Sequence, residues 1–241
     1  LLAGRDESQV RAQAEKFGLE YRAFSVENAT ALDAALMEVD AVLHCAGPFV
    51  LTFRQMAEAC IRTKRHYVDI SGEIEGFEAL AAMSEEANHA GVMLLPGGGF
   101  DVVPSDCLIA YTAGKLTSAT HLELYIKSIG SGVSRGTARS GIENSHRQGR
   151  IRRDGKIISV PNVWGTKDVD FGRGASRLIS MGWGDVSTAY HSTGIPNVTV
   201  YMSFPKAMVN MMRLTRYAGP ILYTRMARDF IKWLIGKFLA P

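Results

Sequence analysis

The sequence predicts a doubly wound α/β domain built on a parallel sheet, followed by a smaller α+β domain and C-terminal helices. Two observations carry the first part. Short, mostly apolar runs alternate with stretches whose apolar residues recur at helical spacing, and glycine stands just after most of those runs. Alternation of this kind specifies right-handed crossovers and a parallel sheet covered on both faces. A third observation carries the rest: beyond Gly114 the pattern changes to strand-like alternation interrupted by glycines.

Taken in order, "LLAGR" reads as the end of a strand and its tip. Residues 7–17 place Val10, Ala14 and Phe17 on one helical face, with Asp6 where an N-cap belongs. Residues 20–26 read as a strand, 31–39 as a helix with Leu32, Ala35, Leu36 and Val39 inward, and "DAVLHC", 40–45, as a strand. Within 52–64, Phe53, Met56, Ala57, Cys60 and Ile61 form one helical stripe. "HYVDI", 66–70, returns to strand, and a helix with Phe77, Leu80, Ala81 and Ala87 inward follows. The strand 92–95 then feeds "PGGGFDVVPSD", 96–106, whose Pro104 fits a first helical turn, where its missing N–H has no partner to lose.

Residues 1–118 are thus expected to form the first domain, 119–205 the second, and 206–241 amphipathic helices. In the second, "ATHLELYIKSI", "IISV" and "VTVYMSF" are the strand candidates, and the glycine-rich region 165–184 suits turns. A start partway along a strand and an end, "LIGKFLAP", inside a helical pattern read as a chain incomplete at both termini.

Hydrophobic residues at 46% and charged residues at 21% fit a folded globular chain and exclude disorder, while a net charge of +3 singles out no partner. Arg135, Arg139, Arg147, Arg150, Arg152 and Arg153 form a basic cluster, read as a solvated basic helix and hairpin or as a grip for a phosphopantetheine or an acyl-carrier surface. Aromatics are not interleaved with it, so no nucleic-acid partner is expected. The cysteines Cys45, Cys60 and Cys107 lie in segments that read as buried, which suits a reducing compartment. The histidines lack ligand spacing, so no metal site is expected. No apolar run nears the roughly 18 residues of a membrane span and no signal peptide is visible. A cytoplasmic protein is the expectation.

In an open parallel sheet, ligands bind beyond the carboxyl ends of the strands. The tips here are Gly4-Arg5, then Cys45, Ala46, Gly47, Pro48 and Phe49, then Ser71, Gly72 and Glu73, then the glycine run. Any one of these glycines could simply make a turn. Arg5 occupies the place where an arginine suits the extra phosphate of NADP, or is a solvated surface arginine. Gly97, Gly98 and Gly99, followed by Phe100 and Asp101, would leave N–H groups unshielded beside a helix start, suited to an anionic oxygen or a nicotinamide carboxamide. Asp101 and Asp106 could cap that helix; alternatively one of them, or Ser105, donates a proton or contacts substrate. Tyr67 is a further proton-donor candidate, or an ordinary packed tyrosine. The glycine-rich phosphate turn is absent from the first domain, with "GSGVSRG", 130–136, as a rival further on.

"LLAGR", "LHCAGPF", "HYVDISGE", "GGGFDVVPSD" and "SRGTARSGIE" occur in that order. On these residues the chain resembles the saccharopine dehydrogenase-like reductases, and among them most the bacterial trans-acting enoyl reductases and the saccharopine dehydrogenase-like oxidoreductases. The resemblance implies an NADP-binding Rossmann domain, with its phosphate loop ahead of Leu1, and an α+β domain closing over the nicotinamide. It implies a cofactor lining made of Arg5 at the 2′-phosphate, Ala46 to Phe49, Ser71 to Glu73, and Gly99 to Asp101. It supplies no catalytic residue, and the charged groups of members acting on amino acids find no match here. The expected function is NADPH-dependent hydride transfer to a C=C (enoyl) or C=N bond of a small or acyl substrate, by a homodimer. The alternative is a non-catalytic or weakly catalytic nucleotide-binding protein that associates with lipid surfaces or partners. Its motive is the mixture of Met, Leu, Ile, Phe and Trp with Arg and Lys in the C-terminal helices, which suits peripheral membrane contact.

Overall fold

A computed structural model describes residues 1–116, 118–129, 149–205, 208–210 and 212–213. The chain forms two compact units, Leu1–Thr112 and Ala113–Pro241.

The first unit alternates strand and helix. Strand β1 (Leu2–Gly4) leads to helix α1 (Glu7–Phe17) and strand β2 (Tyr21–Ala23), then to helix α2 (Ala29–Leu36) and strand β3 (Ala41–His44). A short 3-10 turn at Phe49–Leu51 precedes helix α3 (Phe53–Thr63) and strand β4 (His66–Asp69). Helices α4 (Ile74–Ala82) and α5 (Ser84–Ala90), strand β5 (Leu94–Leu95) and helix α6 (Val103–Ala113) complete it. Every pairing in this unit is parallel, β1 with β2 and β3 with β4 with β5. The described strands make two sheets, a pair and a triplet, where the sequence suggested one.

Local chemistry sets the helix ends. Asp6 caps α1 as its position suggested: its side chain accepts from the Gln9 N–H at 3.1 Å and from the Ser8 hydroxyl at 2.8 Å. Those donors hold its carboxyl below the ordinary aspartate value. Asn28 caps α2 through the Ala31 N–H at 3.1 Å. The single helix expected after Glu73 is instead two, because the backbone leaves helical geometry at Met83.

One buried cluster lies against the three-stranded sheet, and the segment after β2 borders it. Leu32 and Leu36 from α2, Phe53, Met56, Ala57, Ala59 and Cys60 from α3, and Tyr67, Leu80 and Met83 pack together, with Phe24, Val26 and Val42 at the margin. The α3 stripe read from the sequence is the buried one, and each large aliphatic side chain removed from water contributes about 1.5–3 kcal/mol. Two expectations fail here. Phe17 is 63% exposed, with Lys16 over its ring, because only Ala14 on that face of α1 reaches the core. Cys45 and Cys107 are exposed and only Cys60 is buried, where desolvation pushes its thiol up to about 12.

The second unit is a six-stranded sheet of β6 (His121–Ile126), β7 (Gly149–Arg153), β8 (Lys156–Val160), β9 (Thr166–Asp170), β10 (Ala175–Met181) and β11 (Asn197–Ser203), with helix α7 (Asp185–Thr193). Its pairings are antiparallel apart from β6 with β11. The hairpin β7–β8 turns on Asp154 and Gly155, both with positive φ, the geometry of a two-residue turn that matches strand twist. The region 165–184, read as turns, contains β9 and β10. The glycines that suggested turns are used in the loop between them, where Asp170 accepts from the Gly172 and Arg173 N–H groups at 2.8 and 3.1 Å. Of the basic cluster, Arg150, Arg152 and Arg153 lie in β7, and Arg152 is buried against the Tyr190 ring at 4.2 Å. Arg135, Arg139, Arg147 and "GSGVSRG" lie outside the described residues, as does most of 206–241.

Candidate functional site

The tips of β3, β4 and β5 emerge from the same edge of one parallel sheet. Strand alternation turns Val42 and His44, and likewise Tyr67 and Asp69, inward. His44 and Asp69 face one another across the ladder at its carboxyl end. Both are almost fully buried polar side chains on a core face, and such groups persist only when hydrogen-bonded.

Apart from the Tyr67 hydroxyl on Asp69, their hydrogen bonds go to the loops beyond the strand ends. His44 Nε2 lies 2.9 Å from the Thr52 hydroxyl, which donates to the Ala46 carbonyl at 2.7 Å. The Phe49 ring stands edge-on to the imidazole, with centroids 5.6 Å apart. This clamps the Ala46–Phe49 loop, which contains a cis Gly47–Pro48 peptide. Burial holds His44 below the ordinary histidine value, and the nearby Asp69 opposes that shift. Asp69 Oδ1 accepts from the Ser71 N–H at 2.9 Å, the Ser71 hydroxyl at 2.9 Å and the Gly97 N–H at 2.7 Å. Its Oδ2 accepts from the Tyr67 hydroxyl at 2.5 Å, and its carbonyl accepts from the Gly98 N–H at 2.7 Å.

The glycine run therefore does different work from that expected. Two of its N–H groups serve Asp69, so it is not a bare wall of donors. Its missing side chains let the loop close over β4. A Cβ on Gly97, where φ is +71°, would stand 2.9 Å from the Phe77 ring, and one on Gly99 would stand 3.1 Å from Ile70. A Cβ on Gly72 would stand 3.4 Å from Asp101 Oδ2, so the Asp101 side chain borders the β4 tip. Partial burial raises the Asp101 carboxyl above the ordinary value.

Among the residues the sequence singled out, Ala46, Gly47, Pro48, Phe49, Ser71, Gly72, Glu73, Gly98, Gly99, Phe100 and Asp101 thus belong to one cluster of loops, with Cys45 exposed at its edge. Ser105, in the first turns of α6, donates to the Val102 carbonyl at 3.0 Å. Arg5 is exposed at the tip of β1, in the separate two-stranded sheet. Tyr67 is removed from the proton-donor candidates: it is fully buried, its hydroxyl is committed to Asp69, and desolvation raises its pKa. Sequence reading missed His44, Thr52 and Asp69. The available signal was a charged residue two positions from a tyrosine in "HYVDI", on the inward phase of a strand.

Parallel strands alternating with helices, and glycine-bearing loops gathered beyond the strand ends, define a Rossmann-like nucleotide-binding domain. Residues 1–95 match the saccharopine dehydrogenase NADP binding domain family. The match lies within the first unit and marks it as the NADP-binding part, and over this stretch the chain is similar to the saccharopine dehydrogenase-like proteins. It is 28% identical over 144 residues to the human saccharopine dehydrogenase-like oxidoreductase, covering 57% of this chain and 33% of that protein. The rat protein of the same description is 29% identical over 145 residues, again 57% and 33%. The matched residues thus span about a third of the length of the curated relatives. The fold is similar to apo saccharopine dehydrogenase (L-Glu forming) from Saccharomyces cerevisiae, with a TM-score of 0.61 and 18% identity over 90% of this chain and 52% of that one. Among the described residues, no helix is long and apolar enough to cross a membrane.

Proposed function

We propose that the protein is an NADPH-dependent oxidoreductase that delivers hydride to a C=C bond of an enoyl substrate or to a C=N bond. The observation that carries this reading is the convergence of the β3, β4 and β5 tips, held from beneath by His44 and Asp69, in an NADP-binding domain. The residues present fit the dinucleotide. The exposed Arg5 cation at the tip of β1 suits the 2′-phosphate, and the exposed Ala46, Gly47 and Gly98 offer backbone for close approach. Bound NADPH supplies the hydride. The protein's part is to orient, to exclude water and to hold a proton at a defined atom.

Asp101 is the residue best suited to hold that proton. Its raised pKa keeps more of the acid form at a given pH, and its carboxylate borders the space beside Gly72 at the β4 tip. The enoyl alternative rests on the likeness of "LHCAGPF" and "GGGFDVVPSD" to the trans-acting enoyl reductases. A homodimer in the cytoplasm completes the proposal.

The test is fluorescence titration of the full-length protein with NADPH and NADH, alongside Arg5→Asp. The wild type should prefer NADPH, and the variant should lose most of that preference, a charge-assisted phosphate contact being about 1.5–3 kcal/mol, or tenfold and more. An unchanged preference removes Arg5 from the site. With a reducible substrate in hand, Asp101→Asn should lower kcat by about 100-fold while leaving NADPH affinity within about threefold.

A further inference from the structure

We propose that Asp69 is a positioning residue for the cofactor edge: a buried carboxylate that sets the β4 tip and the glycine run at a fixed spacing and makes them order together. This rests on the reading of those loops as the NADPH site and goes beyond it, because Asp69 itself is fully buried beneath them. Three donors converge on its Oδ1, two from Ser71 and one from Gly97, a residue 28 positions further along the chain. The Gly98 N–H on its carbonyl adds a second link to the same run. The Tyr67 hydroxyl occupies Oδ2 and orients the carboxylate plane, so that one oxygen is left to serve both loops.

The arrangement differs from an ordinary buried polar group in where its partners lie. Tyr67 is on Asp69's own strand, but Ser71 and Gly97 begin two separate loops, and a neutral or apolar side chain at 69 could not accept from both with charge-assisted strength. With the carboxylate present, closing one loop presents the acceptor to the other. The close approach of the two loops is seen where a Cβ would intrude: one on Gly72 would stand 3.4 Å from Asp101 Oδ2 and one on Gly99 3.1 Å from Ile70. The spacing of these two loops is what a nicotinamide and its ribose would measure.

The experiment uses the full-length protein with Asp69→Ala and Asp69→Asn. Amide hydrogen exchange is followed in peptides covering residues 70–75 and 96–101, with α1 and α3 as internal references, and NADPH affinity is measured by fluorescence. In Asp69→Ala both segments should exchange about tenfold faster or more while the references stay unchanged, and NADPH affinity should fall by a similar factor. Asp69→Asn keeps the accepting oxygen without its charge and should restore part of both, leaving changes of about threefold. Faster exchange everywhere, or in one segment only, would mark Asp69 as a general stabilising group and overturn the proposal. If Asp69→Ala does not fold, Asp69→Asn is decisive: exchange at wild-type rates in either segment overturns it. Failure of the wild type to bind NADPH would instead strike the functional reading, while the coupled exchange of the two loops would still stand or fall by itself.

Discussion

At the scale of single residues, the buried polar groups make the sharpest predictions. His44 is held below its ordinary pKa by burial, so the unfolded chain takes up a proton that the folded chain resists. The stability it contributes is full above the ordinary histidine value and is lost as pH falls through that value toward the lower, folded one. Urea denaturation at pH 7 and pH 5 should show a larger loss in the wild type than in His44→Gln. Tyr67→Phe leaves Asp69 Oδ2 without its hydroxyl donor, which should cost about 1–3 kcal/mol in the same assay with the fold retained. These residues also mark the limit of what the sequence disclosed. The places of Arg5 beyond β1 and Gly72 beyond β4 were legible because a strand tip is a position as well as a composition. His44 and Asp69 were not, because their role depends on a cross-strand pairing that a single strand does not encode.

At the scale of elements, α3 was readable almost to its ends because its apolar stripe is wide and uninterrupted. Strands β9 and β10 were missed because glycines in the connecting loop hid the alternation on either side, and β7 because arginines stood where apolar residues were expected. Two glycines of nearly equal φ separate conformational cost from crowding. Gly91, at +70°, ends α5 in open space, and Gly91→Ala should cost about 1–2 kcal/mol for the left-handed backbone alone. Gly97, at +71°, has the Phe77 ring 2.9 Å from where a Cβ would be, so Gly97→Ala should cost about 1–3 kcal/mol more. Equal losses in paired denaturation curves would mean that Phe77 moves aside freely.

At the scale of the whole molecule, each unit has its own buried interior: Leu32 is 2% exposed in the first and Leu178 is 0% in the second. Leu32→Ala and Leu178→Ala should each cost about 2–5 kcal/mol. Combined, they should add to within about 0.5 kcal/mol if the two interiors are independent, as separate sites usually are. A larger discrepancy in calorimetry would show the two interiors to be energetically joined. The pairing of His44 with Asp69 also bears on how such a chain can change length. One residue inserted within β3 or β4 would reverse the phase of everything beyond it, turning a clamp outward and bringing Leu43 or Val68 inward in its place. Variation in length among kindred chains should therefore gather in connections such as 171–174 and spare the strands Ala41–His44 and His66–Asp69, where chain length and the facing of the buried pair are one constraint.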